Sequence, residues 1–149
     1  MYDITIQRAT VTKTSPTATK FKRWVKTVLQ DRMPSAEVNI RIVDKTEMTE
    51  LNSTYRHKNK PTNVLSFPFD MPEECKDDLP ILGDIVICAE VIAEEAAAQE
   101  KTLEAHWAHM VVHGTLHLLG YDHEIDTEAE IMEAEEIRYL SALGFNNPY

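Results

Sequence analysis

The chain has 149 residues, 43% of them hydrophobic, with only four glycines and a formal net charge of −10. It is long enough to bury a core and too apolar for a disordered chain, so residues 1–149 are expected to form a single domain. Two cysteines, Cys75 and Cys88, supply neither a disulfide framework nor a C-x-x-C metal site, and no apolar run approaches the roughly 18 residues of a membrane span; a cytoplasmic protein without a membrane partner is expected.

Met1 to Ile6 alternates like a half-buried strand and lacks the charged and apolar regions of a secretory leader. Ser15-Pro16 reads as an N-cap with proline at the first helical position. Phe21, Trp24, Val25, Val28 and Leu29 follow at helical spacing, and Met33-Pro34 closes the helix, whose outer face carries Lys20, Lys22, Arg23 and Lys26. Residues 37–43 alternate as a second strand. Asp44 with Glu47 resembles a capping box, opening a helix to about Tyr55. Val64 to Phe67 reads as a strand between prolines, and the acidic, proline-bounded stretch 68–80 as a loop.

Ile81 to Cys88 is a fourth strand, interrupted at Gly83-Asp84. The alanine-rich stretch 89–101 predicts a helix, and a further one begins near Leu103. Thr127 with Glu130 predicts a capped last helix in which Ile131, Ala134, Ile137 and Leu140 recur. Gly144 ends it, and the segment 145–149 is expected to fray. The order β-α-β-α-β-β-α-α-α predicts an α+β fold: a single mixed sheet of about four strands packed with about five helices.

Charge is unevenly divided. Residues 1–60 carry 12 Lys/Arg against 6 Asp/Glu, and residues 61–149 carry 3 against 19. The basic front half can attract phosphate while the acidic remainder limits indiscriminate binding, although solvated helix faces explain the same charges.

The run His113-Gly114-Thr115-Leu116-His117-Leu118-Leu119-Gly120-Tyr121-Asp122-His123 carries the chemistry. Residues four apart share a helix face, so His113 and His117 can bind one ion. Gly120 can end the helix in the left-handed conformation and let the chain return His123 to it. Three imidazoles with an open position describe a catalytic zinc site. The spacing is that of metzincin peptidases, except that Gly114 stands where their general-base glutamate does. A zinc-bound water has its pKa lowered toward about 7, so hydroxide forms without a dedicated carboxylate. Asp122 and Glu124 flank His123 and could orient it or accept a proton, or could simply be solvated acids. His106 and His109 read as supporting or structural residues, and His57 has no metal role.

Residues 55–69 read YRHKNKPTNVLSFPF, with Arg56, Lys58 and Lys60 just before a buried strand. Such a loop can bind phosphate through an arginine fork and lysine point charges. YRHKNKPTNVLSFPF, LGDIVIC and HGTLHLLGYDH together resemble the YbeY family of bacterial endoribonucleases and rRNA maturation factors, over about Leu51 to His123.

That resemblance implies one zinc ion held by His113, His117 and His123 in a single metallohydrolase domain. It implies a zinc-dependent, single-strand-specific endoribonuclease in small-subunit rRNA 3′-end maturation and ribosome quality control. Its partners are then single-stranded rRNA and the ribosome or small-subunit proteins, with no DNA. The family's functional arginine falls on Arg56; Asn59 stands where the family frequently has Asp, and Asn63 where it has Asp or Asn. The expected catalytic residues are Arg56 and His113, with Arg56, Lys58, Lys60, Asn63 and Ser66 contacting substrate. The rivals are a non-catalytic assembly factor that uses zinc to pin its last loop, and a metallopeptidase-like hydrolase.

Overall fold

Apolar residues at every second position build the sheet, and apolar stripes at helical spacing clamp it. The computed structural model describes residues 1–12, 15–69 and 80–149. Among these the chain runs β1 (Tyr2–Arg8), α1 (Ala18–Leu29), β2 (Ala36–Val43), α2 (Lys45–Arg56), β3 (Val64–Pro68), β4 (Ile81–Cys88), α3 (Ala89–Ala98), α4 (Leu103–Leu118) and α5 (Asp126–Ala142). This is the expected α+β arrangement, one mixed sheet with helices packed on it. The strand order is β1-β2-β4-β3; β1, β2 and β4 are parallel, and β3 is antiparallel to β4 at the edge. Parallel neighbours need a crossover, which α1 supplies between β1 and β2. Of the expected loop 68–80, Pro68 closes β3, and residues 70–79, Cys75 among them, lie outside the described residues.

Alternation sorts the strands into two faces. Val38, Ile40 and Ile42 of β2 and Ile85 and Ile87 of β4 are buried with Phe21 and Trp24 of α1, Trp107 and Val111 of α4 and Tyr139 of α5. The opposite parity, Val43, Leu65, Val86 and Cys88, packs with Met48 of α2. Helix α4 buries residues around its whole circumference, from His106 to Leu118, as a central helix must.

Several boundaries depart from the sequence expectation for local reasons. Thr17, not Ser15, caps α1, its hydroxyl accepting the Lys20 N–H at 3.4 Å; Ser15 Oγ instead accepts from Arg8 Nη1 at 2.6 Å. Asp44 caps α2 by accepting the Glu47 N–H at 2.9 Å. The reciprocal half of that box is replaced by an ion pair, Glu47 binding Arg41 Nε and Nη2 at 2.6 and 3.0 Å. Strand β4 runs unbroken through Gly83-Asp84, and the irregularity is a register shift opposite Glu37/Val38. Gly83 (φ +146°) brings β3 so close that a Cβ would stand 2.3 Å from the Phe67 carbonyl oxygen. Helix α3 stops at Ala98; Glu100 turns left-handed and the Lys101 N–H bonds the Ala96 carbonyl at 2.9 Å.

Helix α5 begins at Asp126 with Ile125 at the N-cap, so Thr127 is not the cap. Its buried stripe is Met132, Glu136, Tyr139 and Leu140, while Ile131 is 55% exposed. A step of three residues drifts about 60° round a helix each time, so the run from Ile131 to Leu140 leaves one face for another. The segment 145–149 does not fray. The Phe145 N–H bonds the Leu140 carbonyl at 2.8 Å, its ring lies edge-on to Trp24, and Tyr149 reaches back to Glu136.

Candidate metal centre and anion cleft

His113 and His117 project from the last turns of α4. Gly120 (φ +103°) ends the helix in a Schellman turn: its N–H bonds the His117 carbonyl at 3.0 Å, and the Tyr121 N–H bonds that of Leu116 at 3.1 Å. The reversal sets His123 beside the other two imidazoles. Ring centroids stand 4.7 Å apart for His113–His117, 5.0 Å for His117–His123 and 5.4 Å for His113–His123. One nitrogen from each lies within 4.8 Å of the others, a group that could hold a metal ion. Burial, together with the positive partners His113 and His123 would become, pushes the His117 imidazole down to about 4. Its lone pair is therefore available at neutral pH.

Behind His113 stands a residue that the sequence reading missed. Glu136 is fully buried, and its Oε1 lies 2.5 Å from His113 Nδ1. With Nδ1–H given to the carboxylate, His113 keeps Nε2 as its free donor, the pairing that orients a metal-binding imidazole and raises its basicity. Burial works to raise the Glu136 carboxyl, but hydrogen bonds from His109 and His113 outweigh it and hold the group at about 2. Three nitrogen donors, one of them oriented by a buried carboxylate, suit a divalent transition ion. The signal available in the sequence was an acid on the same face as Met132 and Leu140. Sequence adjacency pointed instead to Asp122 and Glu124. Asp122 accepts the His123 backbone N–H at 2.7 Å, and Glu124 is exposed. His106 Nε2 lies 2.9 Å from Glu95 Oε1, His109 Nε2 3.5 Å from Glu136 Oε1, and His57 is the left-handed cap of α2.

A cleft of about 320 Å³ is lined by His113, His117 and His123 together with Arg56, Lys58, Lys60, Asn63 and Ser66, and also by Asn52, Thr62 and Val64. Arg56, Lys58 and Lys60 are exposed, and among the described residues none of them has an acidic partner. Asn52, buried on the inner face of α2, donates to the Lys60 carbonyl at 2.8 Å and holds the loop that follows His57. Asn63 and Ser66 shape the wall with their donors already engaged: Asn63 Nδ2 reaches Glu95 at 3.1 Å, and Ser66 Oγ reaches the Gly114 carbonyl at 3.1 Å. No cation of α1 lines the cleft, and Lys20 is ion-paired with Glu104.

Gly114 faces the sheet. A Cβ there would stand 2.9 Å from Ile85 Cγ2 and 3.3 Å from Ser66 Oγ, so a peptidase-type glutamate has no room. Gly114→Ala gains about 1 kcal/mol of helix propensity but displaces a stiff, buried, branched side chain at about 1–3 kcal/mol. The expected net result is a lower urea midpoint with an unchanged m-value. An equal or higher midpoint would show that α4 and the sheet part readily.

A family model described as Endoribonuclease YbeY matches residues 4–144. The solution structure of TM1509 from Thermotoga maritima is similar in fold, with a TM-score of 0.61 and 26% identity over 97% of this chain and 92% of that one. The chain belongs to the YbeY endoribonuclease family.

Proposed function

Proceeding from that membership, we propose that the chain is a zinc-dependent, single-strand-specific endoribonuclease acting as one metallohydrolase domain. Its proposed role is in rRNA processing, at the 3′ end of small-subunit rRNA and in ribosome quality control. The observation that carries this reading is the joint lining of one cleft by three imidazoles and by three cations that have no acidic partner among the described residues. A phosphodiester needs both kinds of group at once: a site for the reacting oxygen and positive charge for its non-bridging oxygens.

His113, His117 and His123 would hold the ion, with Glu136 fixing the orientation of His113. A bound divalent ion supplies Lewis-acid stabilisation of charge at the phosphoryl oxygen. Arg56 offers a planar fork to the scissile phosphate, and Lys58 and Lys60 neutralise the neighbouring ones. Exposed loops and ends of RNA reach a cleft of this kind more readily than the phosphates of a rigid duplex do.

The test incubates purified protein with single-stranded RNA and, separately, with an unstructured polypeptide, each with zinc-loaded and chelator-stripped samples. Cleavage of RNA alone, and only by loaded protein, is expected. Equal cutting by stripped protein overturns the reading. RNA binding that is never followed by cleavage by loaded protein establishes an assembly role in its place.

A further inference from the structure

We infer that Tyr149 is a positioning residue for the metal centre, its phenol holding the Glu136 carboxylate that orients His113. The inference rests on the metal reading above and goes beyond the family match, which ends at residue 144.

The geometry forms a short chain of contacts. The Tyr149 hydroxyl donates to Glu136 Oε2, and the other carboxylate oxygen, Oε1, receives His113 Nδ1–H at 2.5 Å. The same hydroxyl stands 3.3 Å from His109 Nε2, and the Tyr149 ring lies edge-on to the His109 ring at 5.4 Å. With its proton given to Glu136, the phenol oxygen can share the His109 Nε2–H, which also faces Glu136 Oε1 at 3.5 Å. Among the described residues Tyr149 is the sole hydrogen-bond partner of Oε2, so without it half of a fully buried carboxylate is unsatisfied. A carboxylate so released can turn toward His109 and relax its hold on His113.

The segment is built to make this contact. Gly144 turns left-handed, the Phe145 N–H bonds the Leu140 carbonyl at 2.8 Å, and the Tyr149 N–H bonds Asn147 Oδ1 at 2.8 Å. Tyr149 then lines a second cavity, of about 310 Å³, that shares His113 and His123 with the first cleft and is otherwise lined by Ala129, Met132, Glu133 and Glu136. The metal centre thus has a basic side open to phosphate and an acidic side bordered by Tyr149.

The experiment measures zinc affinity by competition with a chromophoric chelator for the parent, Tyr149→Phe, Glu136→Gln and the double variant. Partners behind a metal ligand are typically worth about 10–100-fold in affinity, so a phenol one contact further out is expected at about threefold to tenfold. In the Glu136→Gln background the same substitution should have no further effect, because the two act in series. An equal loss in both backgrounds marks a general structural role and overturns the inference. A second readout needs only the parent and Tyr149→Phe: the visible absorption of the cobalt-substituted proteins, which should shift if the His113 donor is reoriented and which a merely looser segment would leave alone. A parent that binds zinc with a variant identical in affinity and spectrum overturns this inference alone. A parent that takes up no zinc overturns the metal reading with it.

Discussion

His113→Ala is expected to abolish metal retention and RNA cleavage together while leaving the protein folded. The imidazole is one of only three side-chain donors in the group, and the other two stand with ring centroids 5.0 Å apart on α4 and on the loop beyond it. Structural zinc sites bind with about 10–16 kcal/mol in total, so losing one of three ligands should remove several kcal/mol and weaken affinity by about a thousandfold or more. The fold has a separate account to settle. Glu136 loses its hydrogen bond to His113 but keeps Tyr149, and His109 remains 3.5 Å away, so the buried carboxylate is not stranded. A stability loss of about 1–3 kcal/mol follows, the usual consequence of leaving a buried polar group short of a partner. Zinc content after dialysis, cleavage of a labelled single-stranded RNA and a urea unfolding curve give the three numbers needed. Cleavage at the parent's rate by a folded, zinc-free variant would falsify the metal-dependent reading.

The parts of the site legible in the sequence are those set by local geometry. A four-residue helical spacing and a glycine able to turn left-handed are enough to bring His113, His117 and His123 together, because every step lies within 11 residues of chain. The basic loop was legible for a similar reason: Arg56, Lys58 and Lys60 follow the end of α2 directly. Glu136 and Tyr149 were not. Their partners lie 13 to 40 residues away along the chain, on helices whose orientation only tertiary packing decides. A polar partner from a neighbouring element likewise displaced the cap of α1, where Arg8 of β1 takes Ser15, and half of the α2 capping box, where Arg41 of β2 takes Glu47. It also moved the buried face of α5. A run of apolar residues every third position looked like a core stripe, yet the stripe that packs contains a charged residue serving the histidines. The ends and faces of elements were misread where a polar partner from another element outbid a local one; the order of elements, set by hydrophobic periodicity, was not.

Arg56→Glu is expected to remove RNA cleavage by about a hundredfold or more while the variant keeps its zinc, the magnitude typical of losing a charge-stabilising donor at a transition state. The separation is possible because Arg56 belongs to a different element from the ligands. It ends α2, whose N-cap at Asp44 and left-handed exit at His57 do not involve its side chain. Nor is it bonded to the histidines: among the described residues its side chain makes no hydrogen bond or ion pair, yet it lines their cleft. Reversing its charge sets a carboxylate at the proposed phosphate position, beside Lys58 and Lys60, which would then pair with it and be lost to the RNA as well. Arg56→Lys separates charge from shape. A lysine retains the point charge but not the planar two-pronged donor, so it should preserve much of the RNA affinity and its salt dependence while kcat falls. If Arg56→Lys leaves kcat unchanged, the guanidinium serves only to attract the backbone. If Arg56→Glu loses its zinc, Arg56 instead supports the arrangement of the cleft, and the positive charge that steers the phosphate must come from Lys58 and Lys60 alone.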